Sequence, residues 1–186
     1  MPGATFLEGE SVALATIEEA DLAFVHEWVN HPSVRRSIGQ WYPTTRAQER
    51  RWWEADAEDG DSIRLLVTVD GERAGAVELE DVDRTAGRAE LAVWLHPDYR
   101  GNGRAREAVE LLVGYAFDEL RLHRIVADAY ADNDRSRRIL DAVGFVHEGT
   151  GREDDFLGGE YVDTVYYGLL VDEWRERGDA RGAEPG

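Results

Sequence analysis

The chain has 186 residues, of which 42% are hydrophobic, and its 39 acidic and 21 basic residues give a formal net charge of −18. This length fits one domain, and the apolar content is sufficient for a core, which excludes global disorder. Cysteine is absent, which excludes disulfides, thiolate metal sites and a cysteine nucleophile. No apolar run reaches the roughly 20 residues of a membrane span and the N-terminus has no signal pattern, so we expect a cytoplasmic protein without a membrane partner.

The acidic residues are spread along the chain, and every basic residue is arginine. Nucleic-acid binding needs clustered positive charge, so we expect no nucleic-acid partner. An acidic surface without lysine is typical of adaptation to concentrated salt, where charge repulsion is screened. The alternative is that the acidity attracts cationic substrates such as polyamines or basic proteins. We favour a halophilic protein, because the charge has no evident focus in the sequence.

The first third of the chain predicts one strand and two helices. The strand covers 11–16, and Asp21 is the expected N-cap of the helix that follows it. A loop then leads to a second helix that carries Trp52 and Trp53. Paired aromatic residues of this kind are more often core than substrate platform.

Short strands dominate the next part of the chain. Three are predicted over 65–69, 74–79 and 89–95, and Asp70-Gly71 between the first two is a strong hairpin signal. They form an antiparallel meander that ends at His96-Pro97, because proline removes a donor from the ladder.

The remaining pattern is helix, strand, helix and hairpin. The helices cover 104–120 and 134–143, the strand between them covers 125–130, and the hairpin turns at Gly158-Gly159. Gly144 stands where a left-handed residue ends a helix. We find no internal linker, so the sequence predicts one domain over 1–177 and a flexible tail over 178–186.

A glycine loop between the third meander strand and the next helix carries the most chemical information. It consists of Arg100, Gly101, Asn102, Gly103, Arg104 and Ala105. Unpaired N–H groups at a helix N-terminus, together with the positive end of the helix dipole, bind phosphate oxygens. The alternative is a plain turn that uses glycine for its geometry. Walker-type nucleotide binding is disfavoured, because the lysine that it requires does not exist in this chain.

This loop, read with two later matches, resembles the GNAT superfamily of N-acetyltransferases. Its sequence fits their R/Q-x-x-G-x-G/A motif, Asn133 and Ser136 open the next predicted helix, and Gly144-Phe145 closes it. Glu90 and the segment from Gly159 to Trp174 are similar to the branch that contains ribosomal-protein alanine and spermidine acetyltransferases. The resemblance extends from about residue 11 to residue 174.

The resemblance implies an α/β (α+β) fold with a mixed, mostly antiparallel sheet of about six to seven strands and about four helices. It also implies acetyl-CoA as acetyl donor, without a metal. The glycine loop from Arg100 to Ala105 would hold the pyrophosphate, and Asn133 would bond the pantetheine amides. The pantetheine arm would pair with the backbone near Val93 and Leu95, where two strands splay apart.

For catalysis, the resemblance and the chemistry of acetyl transfer point to two residues. Glu90 is the candidate base that takes the proton of the ammonium, and an ordinary strand carboxylate is the alternative. Many family members protonate the leaving thiolate with a tyrosine, but Leu140 stands at that position here. Ser136 is the candidate replacement, and support of the first helical turn is its alternative role.

The acceptor cleft of the family would fall on Trp28, Asn30, Trp41 and Tyr42. The expected acceptor is the N-terminal α-amine of a protein, attacking acetyl-CoA directly in a ternary complex. The alternatives are a polyamine or aminoglycoside acetyltransferase, and an acetyl-CoA-binding domain without catalysis. Dimerisation is common in the family, so a homodimer is a further expectation.

Overall fold

The computed structural model describes residues 1–182, and for 56–59 and 179–182 it describes the backbone only. Eight strands form one sheet. In chain order they are β1 (Thr5–Glu8), β2 (Ala13–Thr16), β3 (Ile63–Val69), β4 (Glu72–Asp83), β5 (Arg88–Leu95), β6 (Arg124–Tyr130), β7 (Val146–Leu157) and β8 (Glu160–Leu170). The α-helices of the described residues are α1 (Leu22–Asn30), α2 (Pro32–Arg35), α3 (Arg46–Asp59), α4 (Arg104–Asp118), α5 (Asp134–Val143) and α6 (Val171–Gly182).

The sheet order is β1-β2-β3-β4-β5-β6-β8-β7, and each neighbouring pair is antiparallel except β5 and β6. This confirms the predicted mixed, mostly antiparallel α/β fold. The strand count is slightly higher than predicted, because β1 was missed. β1 is a four-residue edge strand with largely exposed side chains, and its pairing with β2 is not encoded in its own pattern.

The two faces of the sheet carry separate cores. On one face, α4 and α5 cover the larger cluster, which includes Leu79, Ala89, Leu112 and Ile125. On the other face, α1 to α3 cover a smaller cluster around Leu66 and Trp94. Alternation along β5 explains the division, because Ala89 and Trp94 lie on opposite faces of the strand.

The helix boundaries agree closely with the pattern in the second half of the chain. α5 covers the predicted residues and ends at Gly144, whose φ of 115° requires the left-handed region that glycine adopts without strain. A Cβ at Gly144 would also lie 2.5 Å from Cδ of Arg177. α6 continues to Gly182, into the segment predicted as a tail, and residues 183–186 lie outside the described residues.

Asp21 is the N-cap residue of α1, but its side chain makes no cap hydrogen bond, contrary to the prediction. The carboxylate is fully buried and pairs with Arg73, whose Nε donates to it over 2.7 Å. It also accepts a hydrogen bond from the backbone N–H of Glu18. Asp21 therefore joins the start of α1 to β4. Trp52 and Trp53 pack against the smaller core, as predicted.

Candidate active site

The functional site begins where β5 and β6 separate. Their parallel pairing runs from Arg88–Arg124 to Glu90–Val126 and ends there, although both strands continue. The backbone of β5 beyond Glu90 therefore has an edge that β6 does not cover. A cavity of about 1200 Å³ opens between the strands, and residues of β5, β6, α2, α4 and α5 line it.

The glycine loop lies at the mouth of this cavity. Gly101, Asn102 and Gly103 have φ values of 96°, 53° and 78°, three successive left-handed residues that turn the chain into α4. A Cβ at either glycine would meet open space, so glycine is required here by backbone conformation and not by crowding. α4 begins at Arg104, and the N–H groups of its first turn have no intrahelical partner.

Six arginines surround the same cavity, although the chain as a whole is strongly acidic. They are Arg36, Arg100, Arg104, Arg106, Arg135 and Arg138, and the one acidic residue of the described lining is Asp132. The sequence showed no local concentration of charge, but the folded protein concentrates positive charge around this cavity. Arginine side chains of this kind suit the phosphate groups of a nucleotide.

Arg104 shows most directly that this lining fits a phosphate ligand. Its Nε is buried and has no hydrogen-bond partner among the described residues. Its guanidinium lies 6.0 Å from the centre of the Tyr99 ring. A buried cationic donor without an acceptor is costly unless a ligand satisfies it, so the predicted phosphate-binding loop fits the structure.

Arg100, which the motif predicts to bind the cofactor, lines the cavity and also bonds two backbone carbonyls. Its Nε donates to the carbonyl of Leu95 and its Nη2 to the carbonyl of Ser33, each over 2.8 Å. Burial, and then the charge of Arg135, lower the pKa of its guanidinium. Arg100 thus joins the end of β5 to α2 and holds the cavity wall in place.

Asn133 and Ser136 line the cavity from the start of α5. The side-chain oxygen of Asn133 accepts from the backbone N–H of Ser136 over 3.2 Å, so Asn133 caps the helix as predicted. Its amide nitrogen remains a donor for a ligand. Val93, Leu95, Gly101, Gly103 and Ala105 also line the cavity, whereas Asn102 and Glu90 are not part of its lining.

Glu90 lies at the inner end of the gap between the strands, within an acidic cluster. Burial raises the pKa of its carboxyl, and the charges of Asp128, Glu80 and Asp81 and a hydrogen bond with Asp128 raise it further. Burial also raises the pKa of Asp128, with a contribution from Asp155, although water reaches the Asp128 side chain. A carboxyl with a raised pKa is suited to accept a proton near neutral pH.

Tyr130 is a further functional candidate, which the sequence analysis did not single out. It lines the cavity at the end of β6, and its ring contacts Trp41 with centroids 6.5 Å apart. Burial, followed by the charges of Asp155 and Asp128, raises the pKa of its hydroxyl to about 12. Leu140, at the position of the family's tyrosine, is buried in the larger core.

The cavity lining includes none of the four predicted acceptor residues. The ring of Trp41 contacts that of Tyr130, which lines the cavity. Tyr42, the next residue in the chain, is largely exposed. Trp28 packs on the rings of His31 and His96. The side chain of Asn30 bonds the backbone of Thr44 in both directions, so its amide holds the loop before α3.

Neither the acidic cluster around Glu90 nor the full set of arginines around the cavity was predicted, because the members of each are distant in sequence. Val126, Asp128 and Tyr130 are spaced by two residues and therefore lie on one face of β6. This spacing was the one sequence signal that could have placed Asp128 on the same face as Tyr130. Among the described residues, we find no group of three or more metal-ligating side chains and no helix long and apolar enough to cross a membrane.

Comparison with known proteins places these features in a family. The model of the acetyltransferase (GNAT) domain matches residues 12–146. YdaF of Bacillus subtilis (strain 168), provisionally named a ribosomal N-acetyltransferase, is 33% identical over 122 residues, which are 66% of this chain and 67% of that protein. Spermidine N(1)-acetyltransferase of Escherichia coli (strain K12) is 30% identical over 155 residues, 83% of each chain.

A solved structure supports the same fold. Spermidine N-acetyltransferase from Vibrio cholerae, crystallised with CoA and spermine, superposes with a TM-score of 0.85 at 23% identity, over 90% of this chain and 99% of that one. The domain match, the relatives and the phosphate-binding cavity agree with acetyl-CoA as the donor. The chain belongs to the GNAT family and is an acetyl-CoA-dependent N-acetyltransferase.

Proposed function

We propose that the acceptor is a small amine with more than one positive charge, such as a polyamine. The acidic cluster at the inner end of the strand gap carries this proposal. It consists of Glu80 and Asp81 of β4, Glu90 of β5, Asp128 of β6, and Asp154 and Asp155 of β7. Such a cluster attracts a polycation and opposes an anionic acceptor.

In this proposal the two charged regions bind ligands of opposite charge. The arginine-lined cavity suits the phosphates of acetyl-CoA, while the acids lie around the point where β5 and β6 part. A ligand of each charge would therefore find a separate place, and the two would meet near Glu90. Bringing the acceptor and the thioester together in one orientation supplies a large part of the catalytic effect.

Glu90 is the base in this proposal. An ammonium group cannot attack a carbonyl until it loses a proton, and a carboxyl with a raised pKa accepts that proton more readily than an ordinary one. Acetyl-CoA supplies the activated acetyl group. The protein orients it through the uncovered edge of β5, near Val93 and Leu95, where a backbone N–H can stabilise negative charge on the carbonyl oxygen.

Two hydroxyl groups can serve the leaving side of the reaction. Ser136 and Tyr130 both line the cavity. A phenol whose pKa is raised to about 12 stays protonated at neutral pH and can donate a hydrogen bond to sulfur. A thiol has an ordinary pKa of about 8.5, so its thiolate departs with little assistance.

The N-terminal α-amine of a protein is the second candidate acceptor. It was the first expectation from the sequence, and the provisional name of YdaF is the observation that favours it. A protein N-terminus carries one ammonium group, whereas the acidic cluster has several carboxyls. We also propose that the reaction takes place in the cytoplasm, and salt adaptation stays a prediction from the composition.

The test is a panel of acceptors with the wild type, Glu90→Gln and Glu72→Gln, the last being an exposed control at the β3–β4 turn. We expect kcat/KM to be higher for spermidine than for an alanine-initiated peptide. We expect Glu90→Gln to lower kcat by about 10²- to 10⁴-fold, because it removes the base, with unchanged affinity for acetyl-CoA. Equal turnover by Glu90→Gln and Glu72→Gln would remove Glu90 from the mechanism, and a preference for the peptide would overturn the proposed acceptor.

A further inference from the structure

Four of the arginines around the cavity lie in two groups, one on each of two helices. The first group is at the start of α4, where Arg104 and Arg106 follow the glycine loop. The second group is on α5, where Arg135 and Arg138 line the same cavity. The free N–H groups at the start of α4, together with Arg104, suit a pyrophosphate. A pyrophosphate bound there leaves the arginines of α5 without an explanation.

One side of α5 faces the cavity. Besides Ser136, the residues of this helix that line the cavity are Arg135, Arg138, Ile139 and Ala142. The last three follow Arg135 by three, four and seven residues, which is the spacing of one helix face. Arg137 is not part of the lining and bonds a backbone carbonyl over 3.0 Å. The cavity face of α5 therefore carries two cations followed by two apolar side chains.

Arg135 is a cation without a counter-charge. Within the part of the chain that the structure describes, its guanidinium pairs with no hydrogen-bond acceptor and no carboxylate. Its charge is close enough to Arg100 to contribute to the lowered pKa of that guanidinium. Arg138 has a partner, but its Nη2 lies 3.5 Å from Oδ2 of Asp134 and both side chains are largely exposed, so this pair contributes little. An anion in the cavity would relieve the repulsion between these arginines.

Acetyl-CoA carries phosphate at two places. Its pyrophosphate joins the pantetheine arm to the ribose, and a separate phosphomonoester is attached to the 3′-oxygen of that ribose, near the adenine ring. A phosphomonoester carries between about 1.5 and 2 negative charges at pH 7, and its oxygens match the planar donors of arginine. The cavity face of α5 offers a matching combination, because Ile139 and Ala142 follow its two arginines and can pack against a ring.

We propose that Arg135 and Arg138 bind the 3′-phosphate of acetyl-CoA, so that the enzyme distinguishes CoA from its 3′-dephospho form. Arg135 is the main contact, because no described protein group competes for its donors, and Arg138 adds charge. Both side chains are exposed, so the interaction weakens as salt screens it. The inference rests on acetyl-CoA as the donor and is independent of the proposed acceptor.

The test measures the Kd of CoA and of 3′-dephospho-CoA by isothermal titration calorimetry. The proteins are the wild type, Arg135→Met, Arg104→Met and Arg50→Met. Arg104→Met changes the group of arginines on α4, and Arg50→Met removes a charge outside the cavity, where Arg50 pairs with Glu19. The readout is the ratio of the two Kd values, because this ratio isolates the 3′-phosphate from the rest of the ligand. The melting temperature without ligand controls for folding.

We expect the wild type to bind CoA roughly tenfold more tightly than 3′-dephospho-CoA, the lower end of the range for hydrogen bonds that involve charged groups, because the site is exposed. Arg135→Met should reduce this ratio to about two and leave the Kd of 3′-dephospho-CoA nearly unchanged, since the two changes remove the same contact. Arg104→Met should weaken both ligands by a similar factor and preserve the ratio. Arg50→Met should change neither Kd.

Two further comparisons separate binding of the 3′-phosphate from a general effect of charge. Arg135→Lys should keep part of the ratio, because lysine retains the charge and loses the planar pair of donors. Arg138→Met should reduce the ratio less than Arg135→Met, because Asp134 already offsets part of its charge. In the wild type, the ratio should fall when KCl rises from about 0.1 M to about 1 M.

Equal affinity of the wild type for the two ligands would overturn the proposal. So would an Arg135→Met variant that weakens both ligands by the same factor, because Arg135 would then act on a part of CoA other than the 3′-phosphate. If neither ligand binds, the assignment of the donor fails together with the proposal. If both bind with the expected ratio and no amine is acetylated, the proposed acceptor fails and the 3′-phosphate site stands.

Discussion

Replacement of Arg104 by methionine should weaken acetyl-CoA binding without destabilising the protein. Arg104 opens α4 at the cavity mouth, and its buried Nε has no hydrogen-bond partner among the described residues. A buried donor in this state costs about 1–3 kcal/mol. Methionine has a similar length and no polar atom, so the free energy of unfolding without ligand should be unchanged or higher.

The loss of affinity follows from the bond that the ligand would provide. A hydrogen bond that involves a charged group contributes about 1.5–3 kcal/mol, and about 1.4 kcal/mol corresponds to a tenfold change in Kd. The Kd for acetyl-CoA should therefore rise by roughly 10- to 150-fold. Isothermal titration calorimetry measures this change, and urea unfolding measures the stability of the same preparations.

Two control variants separate this effect from general loss of charge. Arg50→Met removes a charge outside the cavity, where Arg50 pairs with Glu19, and should leave Kd unchanged. Arg106 lines the cavity, but its Nε already donates to Glu110 over 3.0 Å, so Arg106→Met should weaken binding less than Arg104→Met. The reasoning fails if Arg104→Met binds acetyl-CoA as tightly as the wild type.

Two further predictions concern stability. Arg73→Gln should lower the free energy of unfolding, measured by urea unfolding, by about 3 kcal/mol, because it leaves the buried Asp21 without its cation. The control Arg138→Gln removes a charge from an exposed helical ion pair and should change this free energy by less than about 1 kcal/mol. Equal effects of the two substitutions would contradict the assigned role of Asp21. Burial raises the pKa of Glu49 from 4.5 to about 7, so Glu49 ionises at lower pH in the unfolded protein than in the folded one. The wild type should therefore lose stability as pH rises from 4.5 to 7. Glu49→Gln should lack this loss and be more stable than the wild type at pH 8, and parallel pH dependences of the two proteins would refute a buried neutral carboxyl.

The sequence predicted the features whose causes are local. The glycine loop needs left-handed residues at Gly101 and Gly103, and α5 ends at Gly144, so local sequence patterns were sufficient to find them, while the family resemblance indicated Asn133 at the start of α5. The Asp70-Gly71 turn likewise located the β3–β4 hairpin. In each case one or two residues determine the backbone conformation.

Features that depend on distant segments were not predictable in this way. Arg36 follows α2 and Arg138 lies in α5, and both line the cavity only because both segments border the gap between β5 and β6. The position of Glu90 opposite Val126, at the end of the β5–β6 ladder, depends on the parallel register of these two strands. The cap prediction for Asp21 failed for the same reason, because its carboxylate pairs with Arg73 on β4 and makes no hydrogen bond with the first N–H groups of α1.

The central claim is that the chain transfers acetyl from acetyl-CoA to a polycationic amine, and thiol release tests it most directly. The chain contains no cysteine, so a thiol-reactive dye reports only the CoA that turnover releases. With acetyl-CoA and spermidine, we predict thiol release matched by an equal amount of acetylated spermidine, at a rate that Glu90→Gln lowers by about 10²- to 10⁴-fold. Saturable acetyl-CoA binding without thiol release for spermidine or any other amine, in low or high salt, would contradict the account.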